Sequence, residues 1–153
     1  MPLTLFYITN QPAFALIAEK AGVNRIMVDL ETLGKEERQK NMNTVKSHHT
    51  VLDVAAVSNV LTRAETMVRV NPWNPDSAAE IEAVITAGAD RIMLPMWKTA
   101  EEVDCFLRAV GRRKATTLLL ETKEAVEVLD EGGFARTVRA YKSEEIPLLN
   151  TER

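Results

Sequence analysis

The sequence contains a single cysteine, Cys105, and this scarcity sets the first limit on the class of protein. One cysteine cannot form an internal disulfide, which favours a protein of a reducing compartment. No apolar run reaches the roughly 18 residues that a membrane-spanning helix needs. The N-terminal residues MPLTLFYITN lack the cationic start, long apolar centre and small-residue cleavage site of a secretory signal. We therefore expect a cytoplasmic protein with no membrane partner.

An excess of positive charge is also missing. The chain has 19 lysines and arginines against 22 aspartates and glutamates, with a formal net charge of -3. No basic stripe is present, so we expect no nucleic-acid partner. With 153 residues, 46% of them hydrophobic, the chain can bury one domain-sized core and not two.

Short apolar runs that end in polar or ionisable residues are the main positive feature of the sequence. Four of them share this design: RIMVDLE (25–31), TMVRVN (66–71), RIMLPMWK (91–98) and TLLLET (117–122). A further apolar run, residues 3–9, reads as a first strand. A buried strand that presents charge at its C-terminal end is typical of the active sites of parallel α/β proteins.

Helical patterns separate these runs. The spacing of apolar residues predicts helices over about 12–21, from residue 50 to about 61, over 77–88, from 99 to about 110, and over about 123–129. Asn10 is expected to cap the first helix, and Ser77 with Glu80 and Thr99 with Glu102 form capping-box signatures. Residues 32–50 read as a long polar loop.

This alternation predicts an α/β fold of TIM-barrel-like parallel units, with about five strands where a closed barrel needs eight. The partial barrel should occupy residues 1–130. After Gly132 and Gly133 the alternation fails, so residues 131–153 are expected to form an irregular or helical tail.

A near-repeat supports the parallel arrangement. The segment AGVNRIM (21–27) matches AGADRIM (87–93) at almost every position. In both, a glycine ends a helix and leads into a buried strand. Internal duplication and convergence on the same turn chemistry both account for this similarity.

Alternation of side chains along the strands predicts which residues converge on one site. Asp29 and Glu31 share a face of the second strand, and Arg69 and Asn71 share a face of the third. Asp29, Glu31 and Asn71 are candidates for substrate binding. By the same alternation Glu121 faces the same side from the fifth strand. Asp29, Arg69 and Glu121 should therefore lie together at the C-terminal rim. The alternative is that each acid is a separate turn or capping group.

This set of side chains suits an anionic substrate held on a divalent metal. An arginine can bind a carboxylate in bidentate fashion and stabilise an enolate as it forms. Mg²⁺ or Mn²⁺ would be bound through Glu121 and a second acidic ligand.

Three further polar residues are candidates near the same rim. His48 and His49 lie in the loop after the second strand and are candidates for proton transfer, although at most one of two adjacent side chains should point inward. A solvated loop is the alternative. Lys98 is a candidate for contact with an anion.

Five of these segments together resemble the HpcH/HpaI aldolase and citrate lyase family of the phosphoenolpyruvate/pyruvate-domain superfamily. They are VDLE (28–31), SHHT (47–50), VRVNP (68–72), GADRIMLPMWKTAEEV (88–103) and LLLET (118–122), and the resemblance covers about residues 3–130. It implies a TIM barrel that makes or cleaves a carbon–carbon bond through a pyruvate-like or acyl-CoA enolate, usually with Mg²⁺ or a similar ion.

The resemblance also implies roles for particular residues. Arg69 would hold the substrate carboxylate and carbonyl oxygen, and Glu121 would be the first metal ligand. Asp29 and Glu31 would shape the mouth of the site, and His48 or His49 would resemble the proton-transfer group of the aldolase branch. Family members carry a second metal-binding aspartate at the end of the sixth strand, and no segment after Glu131 matches it.

Two functions follow as hypotheses. The first is a metal-dependent carbon–carbon lyase of the aldolase type that acts on a small 2-oxo acid. The second is a catalytically inactive, truncated barrel that serves as a binding or oligomerising module. An open sheet leaves strand edges and apolar faces uncovered, which predicts either self-association or a C-terminal segment that folds over the gap. Of these we expect a homo-oligomer.

Overall fold

Five parallel strands form one sheet in the computed structural model, which describes residues 3–34 and 48–130. The strands are β1 (Phe6–Ile8), β2 (Arg25–Asp29), β3 (Glu65–Arg69), β4 (Arg91–Leu94) and β5 (Ala115–Leu118). They lie in the order β1-β2-β3-β4-β5, each hydrogen-bonded in parallel to the next. The sheet does not close on itself, so the predicted incomplete barrel is confirmed.

A helix follows every strand. The helices are α1 (Pro12–Lys20), α2 (Val51–Ser58), α3 (Ser77–Thr86), α4 (Ala100–Val110) and α5 (Lys123–Asp130). Within the described part of the chain no helix has the length and apolar character needed to cross a membrane.

The helices pack on one face of the sheet and build the main core there. Alternate strand residues such as Ile26, Val68 and Ile92 are fully buried against apolar residues of the helices, among them Phe106. Sequential strand order with helices on one face is the arrangement of a barrel wall, whereas a doubly wound sheet reverses its strand order and carries helices on both faces.

The opposite face of the sheet, here called the inner face, carries side chains in three layers. Arg25, Glu65 and Arg91 form an ionic layer at the N-terminal end, with both arginines 3.0 Å or less from the Glu65 carboxylate. A buried layer of methionines lies above it, made by Met27, Met67 and Met93. The third layer, at the C-terminal end, is the candidate functional site.

Two of the predicted helix starts differ from the structure. Gln11, and not Asn10, is the N-cap of α1 and makes no side-chain capping bond. The predicted Ser77–Glu80 capping box is wrong, because Ser77 Oγ accepts a hydrogen bond from Asn74 N–H while the Glu80 carboxylate binds Asn71. The Thr99–Glu102 box is confirmed.

A capping box that the sequence analysis missed begins α2, where Thr50 and Asp53 exchange hydrogen bonds. The strands also end earlier than the apolar runs that predicted them, for example at Asp29 in β2, Leu94 in β4 and Leu118 in β5. The predicted tail, 131–153, lies outside the described residues, as does 35–47 of the predicted long loop.

Candidate active site

Asp29 and Arg69 form the centre of the site at the carboxyl ends of β2 and β3. The parallel register places these two residues directly opposite each other. Arg69 Nε donates to Asp29 Oδ1 at 2.9 Å and Nη2 donates to Oδ2 at 2.8 Å, so the contact is bidentate. Arg69 Nε also lies 3.4 Å from Glu31 Oε2, which brings the second acid of β2 to the same cation.

The charged side chains of this group interact strongly because they are largely buried. Asp29 and Glu31 are 3% and 4% exposed, and the Arg69 side chain is 19% exposed. The hydrogen bonds to Asp29, followed by the charges of Asp29, Glu31 and Glu121, raise the pKa of the Arg69 guanidinium further above its usual value. The arginine is therefore a permanent cation among three carboxylates, and the group carries a net negative charge that favours a bound cation.

Glu121 lies at the same rim and follows β5. Its charge acts on Arg69, and its Oε1 accepts a hydrogen bond from the backbone N–H of Met96 at 3.0 Å. The side chain is exposed. The carboxylates of Asp29 and Glu121 and the guanidinium of Arg69 therefore lie at one rim, where the sequence predicted them.

His49 contacts the end of β2 through its ring. Nδ1 accepts a hydrogen bond from Asp29 N–H at 2.9 Å. A neutral imidazole that accepts at Nδ1 carries its hydrogen on Nε2, so in this arrangement His49 can donate a hydrogen bond from Nε2. His48 is exposed, whereas His49 is half-buried, which agrees with the expectation that at most one of the two points inward.

Asn71 links three segments around the rim. Its Oδ1 accepts from the N–H groups of Thr32 and Leu33 at 2.8 and 3.0 Å. Its Nδ2 donates to Glu80 Oε1 of α3 at 2.9 Å. Burial raises the pKa of Glu80 despite the hydrogen bonds from Asn71. The amide therefore holds the segment after β2 in place, and its predicted contact with substrate stays a prediction.

Lys98 lies at the edge of this rim. The side chain is 53% exposed and its Nζ is 3.5 Å from Glu124 Oε1 on α5. An exposed ion pair of this length contributes little to stability, so the lysine is available to exchange Glu124 for another anion.

The donor groups at this rim fit a divalent metal only in part. Within residues 3–34 and 48–130, no three His, Cys, Asp or Glu side chains form a group suited to a metal ion. Glu121 is a single candidate ligand, and one of its carboxylate oxygens accepts a hydrogen bond from Met96 N–H. Mg²⁺ commonly binds through one or two carboxylates together with substrate oxygens and water, so Glu121 supplies part of such a site.

The sequence of the chain is similar to that of a known protein family. The profile of the HpcH/HpaI aldolase/citrate lyase family matches residues 3–132, which is most of the chain. The chain belongs to that family. The resemblance stated from the sequence is thereby confirmed. No curated protein matches the chain at a significant level.

Two solved structures show the same fold. An HpcH/HpaI aldolase from Desulfitobacterium hafniense DCB-2 is 15% identical with a TM-score of 0.56, and the match covers 90% of this chain and 48% of that one. A phosphonopyruvate hydrolase in complex with oxalate and Mg²⁺ is 16% identical with a TM-score of 0.57, covering 92% and 54%. This member of the HpcH/HpaI family thus spans about half the length of these two structures.

Two residues of the site were not anticipated. Met96 has a left-handed backbone with φ 52° and offers its N–H to Glu121. Thr122 is buried and donates from Oγ1 to the carbonyl of Trp97 at 2.7 Å. The only signals in the sequence were Pro95, which interrupts the strand before Met96, and the hydroxyl that directly follows Glu121.

Proposed function

We propose that this chain provides the substrate-binding part of a divalent-metal-dependent carbon–carbon lyase of the aldolase type, acting on a small 2-oxo acid in the cytoplasm. The observation that carries the proposal is the buried group of Asp29, Glu31 and Arg69 with Glu121 at the same rim. Family membership and the Mg²⁺–oxalate complex of the phosphonopyruvate hydrolase support the same class of chemistry.

Arg69 has the main role in this proposal. Nε and Nη2 are held by Asp29, which fixes the guanidinium plane. The Nη1 hydrogens then bind the carboxylate and the carbonyl oxygen of the oxo acid, and the positive charge stabilises the enolate oxygen when the bond to C3 breaks.

The remaining predicted residues have supporting roles. Asp29 and Glu31 fix the arginine, and His49, which contacts the end of β2, is proposed for proton transfer. Lys98 is proposed to meet a second anionic group of the substrate. A Mg²⁺ or Mn²⁺ ion held through Glu121 would polarise the carbonyl group as a Lewis acid.

Exchange of the methyl protons of pyruvate with solvent deuterium tests this proposal. In ²H₂O with Mg²⁺, ¹H NMR should show loss of the methyl signal faster than in buffer with Mg²⁺ alone. Arg69→Lys keeps a cation beside the carboxylates but loses the planar fork, so exchange should fall about 100-fold, the scale of losing one electrostatic donor.

The matched control is Arg25→Lys. Arg25 lies on the same inner face and also pairs with a glutamate, but at the opposite end of the sheet. Exchange in this variant should equal that of the unmodified chain. If the unmodified chain gives no exchange above buffer, the lyase proposal is wrong.

A specific observation supports the oligomerising role that belongs to the second candidate function. β1 lies at one edge of the sheet, and the residues around it are unusually exposed: Leu3 is 81%, Phe6 53% and Ile17 62% exposed. Apolar side chains in such a group suggest an interface. We propose a homo-oligomer through this edge, and light scattering should show a multimer that Ile17→Glu weakens. A monomer at high concentration contradicts it.

A further inference from the structure

The segment that follows β2 is held by side chains once it has left the sheet. Leu30 N–H still donates to the Arg69 carbonyl of β3, at 2.9 Å. Glu31 N–H, the next along the chain, donates instead to the Asp29 carboxylate at 3.2 Å. Glu31 is nevertheless 4% exposed, and its carboxylate lies 3.4 Å from Arg69 Nε. The position of this acid therefore depends on contacts outside the sheet ladder.

Asn71 supplies the next contacts of this segment. Its Oδ1 accepts from the N–H groups of Thr32 and Leu33 at 2.8 and 3.0 Å, and from the Thr32 hydroxyl at 3.3 Å. Asn71 follows β3, so a single amide oxygen joins the chain after β2 to the chain after β3. Because Thr32 comes directly after Glu31, this contact fixes the backbone on the C-terminal side of the acid.

The orientation of the Asn71 amide is set from the helix layer. Glu80 of α3 is half-buried, and its Oε1 accepts from Asn71 Nδ2 at 2.9 Å. The two Glu80 oxygens also lie 3.2 and 3.3 Å from Asn71 N–H. An ionised carboxylate accepts hydrogen bonds and donates none. The reversed amide would direct Oδ1 at Glu80 and Nδ2 at two N–H groups, so Glu80 selects the orientation that holds the segment.

We propose that Glu80 is a positioning residue for the charged group at the rim. Through the Asn71 amide, its carboxylate fixes the backbone after Glu31 and so holds that acid beside the Arg69 guanidinium. Glu80 acts from a helix on the opposite face of the sheet, and supporting contacts of this kind preorganise groups that act on a substrate. The catalytic part of this inference rests on the proposed function.

Hydrogen exchange of the Thr32 and Leu33 amides, followed by NMR, tests the structural part. In Glu80→Gln the charge that selects the amide orientation is lost. We expect these two amides of the full chain to exchange about tenfold faster, the scale of one hydrogen bond. Glu82→Gln is the matched control, because Glu82 lies on the same helix but pairs with Arg113 at 2.6 Å. It should leave both amides unchanged.

A double variant, Glu80→Gln with Asn71→Asp, separates positioning from a general loss of stability. The carboxylate and the carboxamide trade places, so the new carboxamide can donate to the new carboxylate, which still accepts from both N–H groups. Amide exchange should return to within about twofold of the unmodified chain, as expected for two coupled side chains.

Three results overturn the inference: unchanged amide exchange in Glu80→Gln, equal acceleration in Glu82→Gln, or no recovery in the double variant. If Glu80→Gln does not fold, Glu80→Asp takes its place. It keeps the charge but is shorter by one methylene, so the same acceleration is expected, and unchanged amides again overturn the inference.

Exchange of the pyruvate methyl protons tests the catalytic part. Glu80→Gln should slow this exchange about tenfold, because a loosened Glu31 no longer holds the guanidinium in place. Glu82→Gln should leave it unchanged. A normal pyruvate rate in Glu80→Gln, together with faster amide exchange, overturns the role in catalysis. No pyruvate exchange in the unmodified chain rejects the proposed function, whereas the amide measurements still decide whether Glu80 holds the segment.

Discussion

Removal of the Arg69 guanidinium should destabilise the fold far more than removal of an arginine at the other end of the same face. Arg69→Ala removes the guanidinium that binds Asp29 in bidentate fashion and lies 3.4 Å from Glu31, and both carboxylates are almost fully buried. Breaking a buried ion pair by deleting one partner costs roughly 3–5 kcal/mol. Because the arginine is 19% exposed, the lower end of that range applies, and we expect a loss of about 3 kcal/mol.

Arg25→Ala gives the comparison. Arg25 and Glu65 are 29% and 40% exposed, and Glu65 keeps Arg91 as a partner at 3.0 Å. No buried charge is orphaned, so the expected loss is about 0–1 kcal/mol. Urea unfolding of the three proteins, followed by circular dichroism, measures both changes. A loss below about 1 kcal/mol in Arg69→Ala, equal to that in Arg25→Ala, would show that solvent screens the group and would refute the reasoning.

Three further predictions concern the supporting structure. Hydrogen bonds from the N–H groups of Ala64 and its two preceding residues lower the pKa of Glu19 from 4.5 to about 2. Its carboxylate therefore stabilises the fold above pH 4.5, and this contribution is lost as the pH falls toward 2. Glu19→Gln should lower Tm at pH 7 but much less at pH 2, and an equal loss at both would exclude this role. Gly88→Ala should cost about 1–2 kcal/mol for its left-handed φ, plus a clash with Ser58. Gly22→Ala meets no neighbour, so equal urea midpoints for the two variants would contradict the clash. Thr122→Val removes the buried hydrogen bond to the Trp97 carbonyl, and we expect a loss of about 1–3 kcal/mol in urea unfolding; an unchanged midpoint would count against this contact.

The sequence was sufficient to predict which strand residues share a face. Strict alternation along β2 and β3 put Asp29 and Arg69 on the same side, and the structure pairs them. The alternation of strands and helices likewise predicted a parallel, open sheet. Both features follow from the spacing of apolar residues over a few positions, which can be read directly from the sequence.

Contacts between distant segments could not be predicted in the same way. Glu80 reads as a capping residue from its spacing to Ser77, but Asn71 competes for its carboxylate once α3 packs beside β3. Pro95 marks the end of the strand before Met96, but methionine has no preference for positive φ, so the left-handed conformation itself was not predicted. Both features depend on tertiary packing that outweighs local propensity.

The near-repeat is explained by contacts that its two copies make with their neighbours. The side chain of Asn24 accepts a hydrogen bond from Leu5 N–H, directly before β1. The side chain of Asp90 accepts one from Thr66 N–H in β3. The next residue in each copy, Arg25 or Arg91, pairs with Glu65 on the strand between them.

β2 and β4 flank β3 from both sides, so Arg25 and Arg91 meet the same Glu65. Met27 and Met93 likewise enclose Met67 in the buried layer. The central strand β3 therefore requires the same first charge and the same apolar residue from each neighbour. That requirement accounts for the similarity by physical constraint, and duplication of an ancestral unit is not needed to produce it.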